Sequence, residues 1–373
     1  MPLLINDIKR QNQALADELS KAIESVFERG WYILGPEVEA FEQEFASYCG
    51  VACCVSVANG TDALELAVRS LELGEGAFVA TVANAGMYAT TAIKQAGSRP
   101  LYVDVSAETM TMDPVALGSC ISGNTGAVIV THLYGQMAAI TEIRDIARAA
   151  GVPLIEDCAQ AHGAEIDGRK AGAWGTIGCF SFYPTKNLGA LGDGGAIITN
   201  DETIASRVRK LRQYGWASKY HSDVAGGRNS RLDELQAAML RVKLRRLDIW
   251  NQRRREIACR YSAAFDGMPL VVPHASSKSY VAHLYVVRSA ARNQLRKQLE
   301  SSGIATDIHY PVPDYAQKSF TANAAATPMT LPVTEACCAQ VLTLPCFPEM
   351  SSAEIDQVIQ GVRATIQTEV ISQ

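Results

Sequence analysis

From residue 51 to about 200, short apolar runs rich in β-branched residues alternate with stretches of helical period. CCVSVAN leads into TDALELAVRSL, AFVATVA into YATTAIKQAG, RPLYVDV into DPVALGSCI, and GAVIVTHLYG into TEIRDIARAAG, after which comes VPLIEDCAQ. Near-continuous apolar strands separated by helices predict an α/β fold, with a large domain whose mainly parallel sheet is covered by helices on both faces. Ligands of such sheets collect beyond the carboxyl ends of the strands, so the residues closing each run are the first candidates for chemistry.

The pattern changes after residue 230. A helix is expected from about Leu232 to Leu247, with Ser230 and Asp233 spaced as a capping box. Its apolar stripe of Leu232, Leu235, Met239 and Val242 suits either a core or a subunit contact. From about residue 250 the basic helical stretch NQRRREIACRYSAAF opens a smaller unit, in which HLYVVR, RNQLRKQLESSG and ATDIHYPVP read as strand, helix and strand. The expected division is a large domain over residues 1–249, including an N-terminal arm, and a smaller C-terminal α/β domain over residues 250–373. TANAAATPMTLP, residues 321–332, reads as a loop.

At 373 residues the chain is long enough for two such unequal units. Hydrophobic residues make up 48% and charged residues 20%, an ordinary globular balance, and the net charge of −5 argues against a nucleic-acid or membrane-surface partner. No apolar run approaches bilayer length, and MPLLINDIKRQNQ lacks the apolar core of a signal peptide, so a cytoplasmic protein is expected. The ten cysteines contain no CxxC pair and the six histidines no HxxxH or HExxH. Buried, reduced thiols and no metal site are the expectation.

Within SFYPTKNLGALGDGGA (residues 181–196), Lys186 sits between an apolar run, GCFSFYP, and a glycine-rich loop with no other cation. That loop is not GxGxxG, a strand (AIITN) rather than a helix follows it, and no GxxxxGK[ST] occurs. Dinucleotide and phosphate-loop readings therefore fail. Asp157 closes the run LIED, where a carboxylate serves either as a loop cap or as a functional acid. A lysine and a carboxylate at two strand ends suit pyridoxal phosphate, with Lys186 forming the Schiff base and Asp157 keeping the pyridine nitrogen protonated. The cofactor's phosphate calls for hydroxyls and the N–H groups of a helix start. NGTDALELA supplies Gly60 and Thr61, and Ser181 offers a second hydroxyl, although an ordinary cap and a strand serine read equally well from those residues alone.

GPEVEAFEQEFASYCG, NGTDALELA, THLYGQ, IEDCAQAHGA, SFYPTKNLGALGDGGA, RNSRLDELQAAMLRVKL and HYPVP, in this order, resemble the sugar-nucleotide aminotransferases over almost the whole chain. These are fold-type I pyridoxal phosphate enzymes that act as dimers. The resemblance implies that Lys186 and Asp157 are catalytic, that Gln160 lies against the ring's phenolic oxygen, and that Gly60, Thr61 and Ser181 hold the phosphate. Asn229 would reach the phosphate of the neighbouring subunit's cofactor, so that two chains of a homodimer build each site. Where many members carry TFxAT, with an aromatic ring on the cofactor, this chain has NAGMYATTAI, and either Met87 or Tyr88 would cover the ring. An aromatic plane favours Tyr88.

The implied reaction moves an amino group from L-glutamate to a keto-sugar linked to a nucleoside diphosphate. The family's dehydratase relatives replace the lysine by histidine, whereas this chain keeps it. Members that aminate carbon 4 read SFHxxK, while Tyr183 stands at the histidine's place here. SFYPTKNLG with NSRLDELQAA is more similar to enzymes that aminate carbon 3 of a dTDP-3-keto-6-deoxyhexose. Tyr183, Arg231, His309, Tyr310 and Tyr220 are the candidates for sugar or diphosphate, arginine by its bidentate geometry. A UDP-linked 3-keto-sugar, amination at carbon 4, and a non-catalytic regulatory protein that keeps the fold are the alternatives.

Overall fold

The structure is a computed structural model that describes residues 2–321 and 330–371. Seven strands form the main sheet: β1 (Cys53–Val57), β2 (Phe78–Thr81), β3 (Arg99–Tyr102), β4 (Thr125–Thr131), β5 (Leu154–Asp157), β6 (Ile177–Ser181) and β7 (Gly195–Thr199). Their spatial order is β1-β7-β6-β5-β4-β2-β3. Only β7 runs antiparallel to its neighbours, and register pairs Thr131 with Asp157 and Asp157 with Cys179. The segments that follow β1, β2, β4, β5 and β6 therefore emerge at one edge.

Alternate residues along each strand enter different cores, which explains the near-continuous apolar runs. Ala127 and Ile129 face helices Gly60–Ser70, Tyr88–Gln95 and Glu202–Leu211, whereas Val128 and Val130 face Pro36–Cys49, Ile140–Ala149 and Glu234–Leu244. The fold is thus the expected α/β architecture with helices on both faces. A second core draws on Tyr261, Phe265, Leu295, Leu299, Phe347 and Val358 around an antiparallel pair, β8 (Tyr285–Arg288) and β9 (Val341–Leu344). Leu3 joins that core, bonding through its main chain to Gly303 (2.8 Å) and Ala305 (2.9 Å). Helix Leu247–Ala264 crosses residue 250 unbroken.

Three local expectations change. The helix expected over Leu232–Leu247 spans Glu234–Leu244 and is followed, after Arg245 and Arg246, by Leu247–Ala264. Ser230 and Asp233 make no capping box: the Ser230 hydroxyl accepts the Ala58 N–H (3.1 Å), and Asp233 caps with its backbone alone. Glu234 instead turns its buried carboxylate to another helix start and accepts the N–H groups of Gly35, Glu37 and Val38 at 2.8–2.9 Å. Leu235, Met239 and Val242 pack on Leu15, Leu19 and Ile23 of the same chain, which makes the stripe a core face. ATDIHYPVP forms no strand, only a single bridge between Asp307 and Thr343. Most of the expected 321–332 loop lies outside the described residues.

Eight of the ten cysteines are buried and all are unpaired, with Cys259 exposed. Among the described residues no helix is long and apolar enough to cross a membrane.

Candidate active site

Five strand ends enclose a cavity of about 430 Å³. Its walls include Gly60 and Thr61 after β1, Tyr88 after β2, Thr131 closing β4, Asp157 and Gln160 from β5 onward, and Ser181, Tyr183 and Lys186 from β6 onward. Eight of the thirteen residues singled out in the sequence thus meet in one place.

The main chain around Lys186 is held from both sides. Phe182 is buried edge-on against Phe41 (5.3 Å) and Phe45 (5.4 Å), and the Lys186 N–H donates to the Tyr183 carbonyl at 2.8 Å. Asn187 donates to Asn251 Oδ1 (2.8 Å) and the Val281 carbonyl (3.0 Å), while its Oδ1 lies 3.1 Å from His283 Nδ1. Buried Lys243 donates to the Gly189 carbonyl at 2.9 Å, and Asn6 reaches back to the Thr185 carbonyl at 3.2 Å. The Lys186 side chain is left to the cavity. Desolvation there lowers its amine to about 8, against the opposing pull of Asp157.

Asp157 is 5% exposed, and burial pushes its carboxyl up from the ordinary value. The Ala159 N–H (3.1 Å), Lys186 and the Thr131 hydroxyl (3.3 Å) act in the opposite sense. A carboxylate held in this way gains from a further cation facing it. Gln160 has a fixed orientation: its Oε1 accepts the Tyr134 N–H (2.6 Å) and its amide N–H group points to the Tyr310 hydroxyl (3.3 Å).

Helix Gly60–Ser70 begins at the cavity, capped by Asn59, whose side chain accepts the Asp62 N–H at 2.8 Å. A Cβ on Gly60 would stand 2.6 Å from Ser181 Cβ, so only glycine lets the helix start approach the end of β6. Thr61 and Ser181 then line the cavity at the start of this helix, a neutral cradle for an anion. Pyridoxal phosphate fits this donor set: a cradle for phosphate, an acid for the ring nitrogen and an amine with a lowered pKa for the carbonyl carbon.

Of Met87 and Tyr88, it is Tyr88 that lines the cavity. Tyr310 stands behind it, ring centroids 6.2 Å apart. His309 turns away: its Nδ1 meets the Thr343 hydroxyl at 2.8 Å, and its ring lines a neighbouring cavity with Thr185 and His283. Asn229 and Tyr220 are exposed, Arg231 is half-buried, and none of the three lines the cavity of its own chain.

Sequence reasoning missed Thr131, although it closes β4 as Asp157 closes β5 and the same strand-end rule would have found it. It also missed Asn187, His283 and Lys243, whose partners are too distant along the chain for any local pattern to reveal. The buried trio His132, Glu156 and Cys158 has metal-ligand types. Its lone pairs are already engaged: His132 Nδ1 takes the Ala138 N–H (3.1 Å), and Glu156 accepts from His132 Nε2 (2.9 Å), Gly172, Trp174 and Gly175.

Residues 13–363 match the DegT/DnrJ/EryC1/StrS aminotransferase family. The chain belongs to this family. It is 43% identical to the dTDP-3-amino-3,6-dideoxy-alpha-D-galactopyranose transaminase of Aneurinibacillus thermoaerophilus, over 95% of this chain and 97% of that one. It is 41% identical to the dTDP-3-amino-3,4,6-trideoxy-alpha-D-glucose transaminase of Streptomyces venezuelae, over 96% and 94% of the two chains. The solved structure of S. venezuelae DesV in complex with a ketimine intermediate superposes with a TM-score of 0.93 at 40% identity, over 97% of this chain and 98% of that one. The present chain is accordingly a pyridoxal phosphate-dependent aminotransferase.

Proposed function

We propose that the enzyme transfers an amino group from L-glutamate to carbon 3 of a dTDP-3-keto-6-deoxyhexose. The observation that carries the chemistry is the shared cavity of Lys186 and Asp157, with the amine lowered to about 8. The names of the two transaminases, both specifying a 3-amino dTDP sugar, support the sugar and the carbon. Tyr183 in place of a histidine supports the same carbon.

Lys186 Nζ takes the α-proton of the amino-acid donor and later returns a proton to the sugar carbon, which an amine near 8 does at neutral pH. Asp157 keeps the ring nitrogen protonated. When bound, the cofactor supplies an electron sink for the charge left at the deprotonated carbon. Gly60, Thr61 and Ser181 would hold the phosphate, Gln160 would donate to the phenolic oxygen, and Tyr88 would cover the ring. Tyr183, beside the lysine, offers its hydroxyl to the ketone oxygen, while Tyr310 backs Tyr88 and Gln160 and His309 faces the neighbouring cavity. Asn229, Arg231 and Tyr220 serve the partner subunit's cavity in a homodimer, which accounts for their distance from their own. The separate second core supports a large and a small domain, although helix Leu247–Ala264 runs through the expected division at residues 249 and 250 and Leu3 of the N-terminal arm joins the smaller unit. A cytoplasmic location suits such substrates.

The test is transfer itself: purified enzyme, L-glutamate and either dTDP- or UDP-linked 3-keto-sugar, with the amine located by NMR. Turnover confined to the UDP sugar, or nitrogen at carbon 4, would replace the proposed substrate and leave the chemistry standing.

A further inference from the structure

The segment carrying Tyr88 is held by a residue from the far end of the chain. Gly86 (φ +81°) and Met87 (φ +72°) both take left-handed backbone just before helix Tyr88–Gln95, and Met87, at the helix cap, provides no side-chain cap. A Cβ on Gly86 would meet the Tyr310 ring at 2.9 Å, so the turn is pressed against that ring. Asp314, 1% exposed, enters here. Its Oδ1 accepts the Met87 N–H at 3.0 Å and its Oδ2 the Thr90 hydroxyl at 2.6 Å, while its own N–H donates to the Ala83 carbonyl at 2.8 Å. Thr90 Oγ1 also lies 3.0 Å from the Tyr102 hydroxyl. In a capping box, a Glu at the third helical position reaches back to the cap N–H. Here Thr90 occupies that position, and a carboxylate 227 residues beyond Met87 does the Glu's part.

We propose that Asp314 is a positioning residue of the active site: by clamping the Met87 N–H and the Thr90 hydroxyl, it fixes the turn that sets Tyr88 against the cofactor cavity. This rests on the reading of that cavity given above. The clamp works as a carboxylate, with two acceptor oxygens for two donors. Burial raises Asp314 to about 6, opposed by its bonds to Thr90 and Met87. The titratable groups facing it are Tyr102, through Thr90, and Cys338, both neutral at pH 7, and among the described residues no basic side chain hydrogen-bonds to it. Below about pH 6 one oxygen acquires a proton and turns from acceptor to donor, which leaves the clamp one full acceptor for its two donors.

The experiment compares wild type with Asp314→Ala, Asp314→Asn and Thr90→Val. Hydrogen exchange at residues 86–91 is read in the cofactor-free chain, and pyridoxal phosphate affinity is read by absorbance from pH 5 to 8. Asp314→Ala should speed that exchange and weaken cofactor binding roughly tenfold at pH 7.5, the scale of one buried charge-assisted bond. Thr90→Val should weaken binding about threefold, and gives an answer even where Asp314→Ala folds poorly. Asp314→Asn keeps an acceptor for Met87 but loses the one for Thr90, and should weaken binding about threefold at pH 7.5, as Thr90→Val does. It should also escape the extra loss that wild type shows below about pH 6. The cofactor phosphate ionises near pH ~6 in both proteins, so the difference between them reports Asp314 alone. Faster exchange with unchanged affinity, or an Asp314→Asn profile identical to wild type, would overturn the positioning role. A wild type that binds no cofactor would instead remove the reading on which the role rests.

Discussion

The inner wall of the cavity and the outer face around residues 214–231 differ in how completely one chain furnishes them. On the inner wall the central groups have neighbours that orient them: Asp157 has Thr131 and Ala159, Gln160 has Tyr134, and Lys186 sits in a loop fixed by Asn187, Lys243 and Asn6. On the outer face Trp216 meets Tyr214 at a tilt (5.2 Å) and Tyr220 edge-on (5.4 Å), and Tyr220 remains 75% exposed, as Asn229 is also exposed. Phe27, Trp31, Tyr32 and Ile33 add further apolar exposure. Such a display marks a contact surface. The difference supports the proposed homodimer, in which one copy would complete the chemical half of the site and a second would supply the rim.

The harshest way to break the inner wall is Lys186→Ala. Transfer should fall about 10³-fold, the scale of a lost proton-transfer group, with loss of the visible cofactor band. The pH profile sharpens the point. With its amine lowered to about 8, Lys186 gains its basic form as pH rises through 8, so the wild-type rate should climb through that window and level above it. The residual rate of Lys186→Ala should show no such climb, and a climb that persists in the mutant would assign the base elsewhere.

The outer face is tested by Asn229→Ala, with a smaller expected effect of about tenfold in cofactor affinity for one lost bond to phosphate. Its decisive version mixes Asn229→Ala chains with Lys186→Ala chains. If each site draws on both subunits, a hybrid dimer holds one site with both natural residues and activity returns on mixing. Mixtures no better than the sum of their parents would confine Asn229 to its own chain.

The two regions also differ in what the sequence reveals. Asp157, Ser181 and Lys186 were legible because each closes or follows an apolar run, and a parallel sheet brings such ends together whatever the intervening helices do. Gly60 and Thr61 were legible as a helix start. Ser230 shows where local pattern fails: the same spacing that suggests a capping box serves here to hold Ala58, because tertiary contacts outbid a local bond. HYPVP reads as one motif, but in this irregular segment His309 lines a neighbouring cavity while Tyr310 bonds to Gln160. Asp314 and Glu234 were invisible for a related reason. Each caps a helix distant in sequence, and no periodicity within either segment marks the partner.

Tyr183 lies where the two regions meet: it lines the cavity yet is 53% exposed, and its carbonyl holds the Lys186 N–H. Tyr183→Phe keeps the ring and that main-chain bond and removes only the hydroxyl. If the hydroxyl serves the ketone oxygen, the sugar half-reaction should slow about tenfold while the L-glutamate half-reaction keeps its rate, since no ketone takes part as acceptor there. Single-turnover measurements of each half separate these effects. Equal losses in both would attach the hydroxyl to the lysine or the cofactor, and no loss in either would leave Tyr183 as a packing residue, with the choice of carbon 3 resting on other groups in the rim.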